Sequence, residues 1–186
     1  MDLGLQGRRA LVTGSHRGTG AGIARVLAAE GAHVLVHGFE QGQPDEVVAS
    51  IRDAGGSVEP VVVDLRDPDA VAAATPATFD VDVLVNNYGA PVGSDWASLD
   101  AWTAEWHTNV ELGVRVTQAC LPAMRAREWG RVVFVGTIGV RQPGRRNPGY
   151  YAAKTALTSV VRSLAIELRG TSSIMNCSLP LVCANA

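Results

Sequence analysis

The sequence predicts a single α/β domain, built on a doubly wound parallel sheet of about six strands with helices on both faces. Short, almost wholly apolar runs recur along the chain, as in strands that are buried on both sides. Amphipathic helical segments separate these runs, at the spacing of right-handed crossovers between parallel strands. A glycine-rich turn stands between the first strand and the first helix, which is the setting of a phosphate-binding loop.

Composition narrows the classes of protein to consider. The chain has 186 residues, of which 47% are hydrophobic and 18% charged, as in one globular domain with a real core. A formal net charge of −2 offers no basic field for nucleic acid, and no signal peptide or membrane span is visible. Cys120, Cys177 and Cys183 lack metal-ligand spacing and indicate reduced thiols. We therefore expect a cytoplasmic protein without a metal site and without nucleic-acid or membrane partners.

The first half of the chain alternates strands and helices. Strands are expected at residues 8–12, 33–37, 58–63 and 81–85. Gly31 and the pair at 55–56 end two helices, and Asp67 and Pro68 begin a third as its N-cap and first residue. That third helix is short and is interrupted at Pro76. The apolar residues expected to face the sheet from the first two helices are Ile23, Val26, Leu27, Val47, Val48 and Ile51.

The second half contains a long helix and the last strands. Ser98 is expected to cap the long helix, and Pro122 to kink it. The tryptophans assigned to this helix are Trp102, Trp106 and Trp129, of which the first two have the i, i+4 spacing of core or dimer-interface residues. Strands are expected at 132–135 and 173–179, with a further helix ending near residue 168.

The glycine turn has the form G-x-x-x-G-x-G and occupies residues 14–20. Glycines let the backbone approach a ligand closely, and the helix start that follows offers free N–H groups and positive potential. A tight turn without a ligand is the alternative. The residues predicted to contact a phosphate-bearing cofactor here are Gly14, His16, Arg17, Gly18, Thr19 and Gly20.

Tyr150 and Lys154 are the candidate chemical groups. They are four residues apart, so on a helix they lie one turn apart on the same face. The chain has 16 basic residues, and Lys154 is the only lysine among them. A fixed ammonium beside a phenol favours its ionised form, which predicts a proton donor and acceptor at Tyr150. A solvated Tyr–Lys pair is the alternative reading of the same spacing.

Taken together, the motifs resemble those of the short-chain dehydrogenase/reductase family, of the classical type and with a Rossmann fold, from about Arg8 to Pro180. The resemblance gives each matching position a role. Cofactor contacts are implied for the glycine turn, for Asp64 as the acid that holds the adenine ring, and for Asn87 and Gly89 within N-N-x-G. The catalytic residues that it implies are Asn109, Thr137, Tyr150 and Lys154.

The resemblance also implies a mechanism and an assembly. A hydride passes between a nicotinamide and a carbonyl or alcohol carbon, while Tyr150 exchanges the proton and Thr137 binds the oxygen. Lys154 lowers the pKa of the tyrosine and also holds the nicotinamide ribose. Asn109 orders its helix and a water beside the lysine. The long helix and the Tyr150 helix are expected to form a homodimer interface.

Cofactor choice is predicted from the end of the second strand. The position of the acid that binds the ribose diol of NAD holds Gly38, and Arg17 lies where many members have a base facing a 2′-phosphate. These features favour NADP, with NAD as the alternative because Phe39 and Glu40 supply no second base.

Several departures from the family pattern keep other functions open. Thr137 stands for a serine, Tyr88 replaces a small residue and would act as a lid or a block over the cofactor, and Leu181 replaces a glycine. The substrate-covering segment and a seventh strand are expected to be missing after residue 186. The preferred expectation is a reductase of a small or secondary-metabolite carbonyl. The alternatives are non-redox proton transfer, as in a dehydratase, cyclase or isomerase, and a non-catalytic nucleotide-binding partner subunit.

The lesser candidates are basic or imidazole side chains. Arg141, Arg145 and Arg146 lie between Thr137 and Tyr150 and would hold an anionic substrate, or form a solvated loop. His107 is expected on the helix surface.

Overall fold

The computed structural model describes residues 3–74, 76–168 and 174–178, the last of these as a strand only. The strands are β1 (Arg9–Val12), β2 (His33–Gly38), β3 (Ser57–Val62), β4 (Val83–Asn86), β5 (Trp129–Phe134) and β6 (Ile174–Ser178). The helices are α1 (Gly18–Ala29), α2 (Asp45–Asp53), α3 (Pro68–Ala73), α4 (Pro76–Phe79), α5 (Leu99–Trp106), α6 (Leu112–Ala126) and α7 (Pro148–Glu167). A π-helical turn, His107–Glu111, joins α5 to α6, and a 3₁₀ turn, Ile138–Val140, follows β5.

All six strands form one parallel sheet in the order β3-β2-β1-β4-β5-β6. Ala10 of β1 pairs with Val34 of β2 on one side and with Val83 of β4 on the other. The chain therefore reverses its direction of winding between β1 and β4, and the carboxyl ends of these strands diverge to leave a crevice. The predicted doubly wound parallel sheet of about six strands is confirmed.

Each face of the sheet has its own buried cluster, because neighbouring residues of a strand point to opposite sides. Ala10 and Val12 pack with α1 and α2 on one face. Leu11, Leu84 and Phe134 pack on the other face with residues of α6 and α7. The central strands β1, β2 and β4 are buried on both sides, as their apolar sequence predicts, whereas the edge strand β3 is partly exposed.

Helix α1 approaches the sheet more closely than expected. Its buried residues are small: Gly20, Ala21, Ala24 and Ala28. Val26, which we expected to face inward, is 61% exposed, and Ile23 and Leu27 lie at the edge of the cluster. Small side chains allow the helix backbone to come near the strands, so the larger residues are displaced to its flanks. In α2 the expected residues Val47, Val48 and Ile51 are buried.

The predicted long helix is real but interrupted, because its regular hydrogen bonding gives way to the π-helical turn His107–Glu111. Ser98 caps its start by accepting a hydrogen bond from the Ala101 N–H at 3.2 Å. One tryptophan assignment was wrong, because Trp129 begins β5. Trp106 is half exposed, which excludes a core position, and its place in a dimer interface stays a prediction. Pro122 lies inside α6, which continues to Ala126.

No helix in the part of the chain that the structure describes is long and apolar enough to cross a membrane.

Candidate functional site

The glycine turn lies at the carboxyl end of β1, where the sheet divides. Gly14 and Gly18 have φ angles of +62° and +58°, which most side chains would strain, so glycine is favoured at both positions. A Cβ on Gly20 would lie 2.5 Å from Asn87 Nδ2 and 2.8 Å from the Gly14 carbonyl oxygen. At Gly20 the turn therefore packs so closely against Asn87, just after β4, that there is no space for a methyl group.

His37 holds this turn in place, a role that we did not predict. Its imidazole is fully buried, and Nδ1 accepts a hydrogen bond from the Gly14 N–H at 2.9 Å. Nε2 lies 2.9 Å from the Val63 carbonyl oxygen, to which it donates. Burial is the main cause that lowers the pKa of His37 to about 4, so the ring is neutral near pH 7. The one sequence signal was a histidine near the end of an otherwise apolar strand.

The segment after β4 is tied to the glycine turn by Thr13. The Thr13 hydroxyl accepts hydrogen bonds from the backbone N–H groups of Asn87 and Tyr88, at 3.1 and 3.0 Å. Asn87 Nδ2 donates to the Thr13 carbonyl oxygen at 2.9 Å. Asn86 Nδ2 reaches back to the Thr117 hydroxyl of α6 at 3.0 Å. The two asparagines therefore join the end of β4 to β1 and to α6, which fixes the segment after β4 beside the glycine turn.

Most of the predicted site residues line one crevice at this edge of the sheet, with a cavity volume of about 250 Å³. Its walls are formed by Gly14, His16, Arg17, Gly18, Thr19, Gly20, Asn87, Tyr88, Gly89, Ala90, Val135, Gly136, Thr137, Tyr150 and Lys154. The glycine turn, the phenol, the ammonium and the threonine hydroxyl thus meet in one place. Of the predicted residues, Asp64 and Asn109 do not line it.

Lys154 lies beneath the crevice rather than at its surface. Its side chain is buried, and Nζ donates a hydrogen bond to the Val135 carbonyl oxygen at 3.2 Å. Burial lowers the pKa of Lys154 to about 8. Helix α7 places Tyr150 one turn earlier on the same face, as predicted.

The expectation that Lys154 lowers the pKa of Tyr150 is corrected by the structure. Burial raises the pKa of Tyr150, and a hydrogen bond with the Thr137 side chain opposes that effect. The electrostatic influence of Tyr151 and Glu105 adds to the increase in pKa. Desolvation of the phenolate therefore outweighs stabilisation, and the phenol holds its proton as a donor would.

Asn109 is buried behind the crevice, on the π-helical turn. Its Nδ2 donates to the Ala90 carbonyl oxygen and to the Glu105 carbonyl and carboxylate oxygens, each at 3.0 Å. Its buried Oδ1 has no hydrogen-bond partner among the described residues. A Cβ on Gly89 would lie 2.8 Å from that Oδ1 and 2.7 Å from Lys154 Nζ. The amide oxygen and the ammonium therefore converge on Gly89, which leaves the acceptor available to a group beside the lysine.

Tyr88 lies on the β1–β2 side of the crevice. Its ring packs against Gly14 and against Phe39, with ring centroids 4.6 Å apart. The Arg66 guanidinium lies over the other ring of this pair, 4.9 Å from the Phe39 centroid. Tyr88 therefore narrows the end of the crevice near β2, while Thr137, Tyr150 and Lys154 form the end near β5 and α7.

Asp64, predicted to hold an adenine ring, is engaged by Arg66. Arg66 Nε and one terminal nitrogen each donate to an Asp64 carboxylate oxygen at 2.8 Å. These hydrogen bonds are the main cause of the lowered pKa of Asp64. The acid thus stands beside the Phe39–Tyr88 pair rather than free in the crevice.

The lesser candidates lie elsewhere. Arg145 lines a surface groove of about 680 Å³ with Trp96, Trp102 and Tyr151, and an anionic ligand there stays a prediction. His107 is paired with Glu111 on the helix surface. Cys120 is fully buried, which raises its pKa to about 12, so this thiol is inert. Leu181 and Cys183 lie outside the described residues, in which no metal-binding cluster of His, Cys, Asp or Glu is found.

The comparisons of this chain with known proteins agree with one another. The family model described as short chain dehydrogenase matches residues 8–184. The uncharacterized oxidoreductase YvaG of Bacillus subtilis is 33% identical, over 97% of this chain and 70% of that protein. Dehydrogenase/reductase SDR family member 4 of Sus scrofa is 34% identical, over 95% of this chain and 66% of that protein. The chain thus spans about two thirds of the length of these relatives.

A solved structure agrees with the sequence relatives. The 3-oxoacyl (acyl-carrier-protein) reductase from Agrobacterium tumefaciens, crystallised with NADP bound, superposes with a TM-score of 0.84. It is 35% identical, over 96% of this chain and 71% of that structure. The fold and the sequence therefore lead to the same group of proteins.

Proposed function

The chain belongs to the short-chain dehydrogenase family, and from that premise we propose that it is an NADP-dependent oxidoreductase that interconverts a carbonyl and an alcohol. The observation that carries the proposal is the meeting of Thr137, Tyr150 and Lys154 in the crevice that the glycine turn also lines. A glycine turn alone would support nucleotide binding only. The phenol and the buried ammonium add the groups that proton transfer to a carbonyl oxygen needs.

The residues present fit a dinucleotide cofactor. The positive φ angles of Gly14 and Gly18 open the backbone at the start of α1, a 12-residue helix whose first N–H groups suit a pyrophosphate. Asn87, Gly89 and Lys154 line the part of the crevice next to Tyr150, where they would hold the nicotinamide riboside. When bound, the cofactor supplies the hydride, which is added to or taken from the carbon of the substrate.

The protein's own part is proton transfer and orientation. In the direction of reduction, Tyr150 gives its phenolic proton to the carbonyl oxygen while that carbon gains the hydride. The Thr137 hydroxyl, already a hydrogen-bond partner of Tyr150, would hold the same oxygen. Lys154 is not among the groups that shift the pKa of Tyr150, so the role that we propose for its buried ammonium is to hold the nicotinamide ribose beside the phenol. Oxidation of an alcohol reverses these steps.

We propose NADP in preference to NAD on charge. The end of β2 is Gly38, which offers no carboxylate to a ribose diol. Arg17 lines the crevice and would face a 2′-phosphate, whereas Arg66 is already paired with Asp64. The structural neighbour from Agrobacterium tumefaciens holds NADP, which supports the same choice.

The substrate that we propose is a small or secondary-metabolite carbonyl, or the corresponding alcohol, and the assembly that we propose is a homodimer. A groove of about 440 Å³ between α6 and α7 has an apolar part formed by Val114, Phe134, Val160 and Leu164, and its other lining residues are polar: Thr117, Gln118, Ser159, Ser163 and Glu167. Such a surface favours contact with a second copy through these two helices.

Tyr150→Phe tests the proposed function, with Tyr151→Phe as a matched control. NADPH oxidation is followed with a panel of ketones and aldehydes. We expect the loss of the Tyr150 hydroxyl to lower kcat/KM by about 10²- to 10⁴-fold, the usual contribution of a general acid. Tyr151, whose ring lies 5.4 Å from that of Tyr150, loses its hydroxyl in the control without removing the proton donor.

Two outcomes contradict the proposal. Equal turnover by the wild type and Tyr150→Phe would remove the assigned proton donor. Conversion of a substrate at full rate in the absence of any nicotinamide would favour non-redox proton transfer at the same residues.

A further inference from the structure

Glu105 of α5 is an acid in an unusual position. Its side chain is fully buried, whereas α5 otherwise exposes most of its residues. Oε1 accepts hydrogen bonds from the N–H groups of Val92 and Gly93, at 3.1 and 3.2 Å, and from the Ser94 hydroxyl at 3.3 Å. Oε2 accepts from Asn109 Nδ2 at 3.0 Å. Four donors converge on one carboxylate, the arrangement by which a buried charged group is kept.

The same network reaches the start of the helix that bears Tyr150. Ser94 Oγ accepts a hydrogen bond from the Gly149 N–H at 3.0 Å, while the N-cap residue Asn147 gives α7 no side-chain cap. A Cβ on Gly149 would lie only 3.2 Å from Glu105 Cγ. The carboxylate therefore lies against the positive end of a 20-residue helix, where a negative charge is stabilised.

On its other side the network reaches the residues behind the crevice. Glu105 and Asn109 are four residues apart, on either side of the junction between α5 and the π-helical turn. Because Glu105 Oε2 and the Ala90 carbonyl oxygen both accept from Nδ2, the amide cannot rotate without losing both bonds. Its oxygen is thus kept on the Gly89 side, toward Lys154 Nζ.

We propose that Glu105 is a positioning residue of the site, which joins the 92–94 segment, Asn109 and the start of α7 into one unit and so fixes where Tyr150 and Lys154 stand. The catalytic meaning of this proposal rests on the proposed function, since positioning serves a reaction only if Tyr150 and Lys154 carry one. The physical linkage does not rest on it, because the hydrogen bonds are features of the protein without any cofactor.

Glu105 also acts on Tyr150 through its charge, which gives a readout that simple loss of packing would not move. The carboxylate is one of the groups that raise the pKa of Tyr150, after burial and Tyr151, while the Thr137 hydrogen bond lowers it. The other ionisable groups that line the crevice are His16 and Arg17 of the glycine turn, Tyr88 after β4 and Lys154 of α7. Removal of the Glu105 charge is therefore expected to lower the pKa of Tyr150.

The test compares Glu105→Gln with Glu111→Gln, a change of the same kind at a partly exposed residue six positions later that pairs with His107 and Arg115. Tyrosinate absorption is titrated in the free protein, and the curve of the same variant carrying Tyr150→Phe is subtracted to isolate Tyr150. We expect a lower pKa for Tyr150 in Glu105→Gln and none of this change in Glu111→Gln. Ketone reduction by Glu105→Gln should show kcat lower by about 10- to 100-fold, the cost of a misplaced catalytic group, with KM for NADPH nearly unchanged.

The outcomes separate the proposed function from the positioning role of Glu105. If the wild type reduces no carbonyl, the proposed function fails, while the tyrosine titration still decides the linkage. If Glu105→Gln folds and the titration of Tyr150 is that of the wild type, the positioning role is refuted. If Glu105→Gln does not fold, Ser94→Ala removes the hydroxyl that links Gly149 to the Glu105 carboxylate and leaves the other three donors to that carboxylate in place. It should accelerate hydrogen exchange at the Gly149 amide and lower kcat, and unchanged exchange and kcat would overturn the proposal.

Discussion

The replacement Lys154→Met should make the protein more stable while it removes the proposed activity. Lys154 Nζ is buried, donates one hydrogen bond to the Val135 carbonyl oxygen at 3.2 Å, and forms no ion pair within the described part of the chain. A buried ammonium without a counter-ion costs folding free energy, because it leaves water with little compensation. Methionine has a similar length and no charge, so it fills the same space without that cost.

The magnitude follows from the pKa. Burial lowers the pKa of Lys154 from its ordinary 10.5 to about 8. At about 1.4 kcal/mol per unit, the charged lysine destabilises the folded state by roughly 3 kcal/mol at neutral pH. The lost hydrogen bond to Val135 offsets about 1 kcal/mol of this. We therefore expect Lys154→Met to raise the free energy of unfolding by about 2 kcal/mol at pH 7.

The pH dependence has a definite sign. Between the folded pKa of about 8 and the unfolded value of 10.5, the unfolded chain holds the proton that the folded chain has released. Stability of the wild type thus rises with pH in that window, and below about pH 8 the full cost remains. Lys154→Met lacks this rise.

Urea unfolding of both proteins at pH 7 and pH 9.5 is the assay, with Arg25→Met as a control for loss of an exposed cation. The wild type should gain about 2 kcal/mol relative to Lys154→Met between these two pH values. A methionine variant that is less stable than the wild type at pH 7, with the same pH dependence, would refute the reasoning. It would mean that the ammonium is satisfied where it lies.

Two further predictions concern the glycine turn. Since the pKa of His37 is lowered to about 4, the unfolded chain binds a proton first as the pH falls below 6.5. The free energy of unfolding should drop by about 2 kcal/mol from pH 7 to pH 5 in the wild type but not in His37→Gln. The same drop in both proteins, measured by urea unfolding, would contradict this. Gly20→Ala places a Cβ 2.5 Å from Asn87 Nδ2, so we expect a loss of about 1–3 kcal/mol and weaker NADPH binding by calorimetry. Gly22→Ala, with open space around it, should bind NADPH as the wild type does.

The features that could be predicted from sequence are those set by neighbours in the chain. Apolar runs of four to six residues gave the strands, since burial on both faces requires apolar residues on both faces. The Tyr150–Lys154 pair needed only helical spacing, and the glycine turn only its position after β1. The Asp67 and Ser98 caps are equally local, since each side chain accepts from an N–H two or three residues later.

The features that were missed depend on contacts between distant parts of the chain. His37 accepts a hydrogen bond from Gly14, 23 residues earlier in the chain. Glu105 accepts one from Val92, 13 residues earlier. On its own, the sequence of α5 assigns a glutamate to a solvated face. Val26 was placed inward by helical period alone, although the close approach of α1 to the sheet favours its small residues there. The direction of the Tyr150 shift in pKa likewise depends on burial, which the spacing of two residues does not encode.

Asn109 shows why the site needs an amide between two buried charges. Its Nδ2 donates to the carboxylate of Glu105, and its Oδ1 lies with Lys154 Nζ on the same side of Gly89. Aspartate at this position could not donate to Glu105 and would set two carboxylates against each other, and leucine would remove both the donor to Glu105 Oε2 and the acceptor on the Lys154 side. An asparagine presents a donor to the anion and an acceptor toward the cation at once. The charge on α5 and the charge on α7 can therefore stay buried on either side of it, and the crevice keeps both groups in fixed positions.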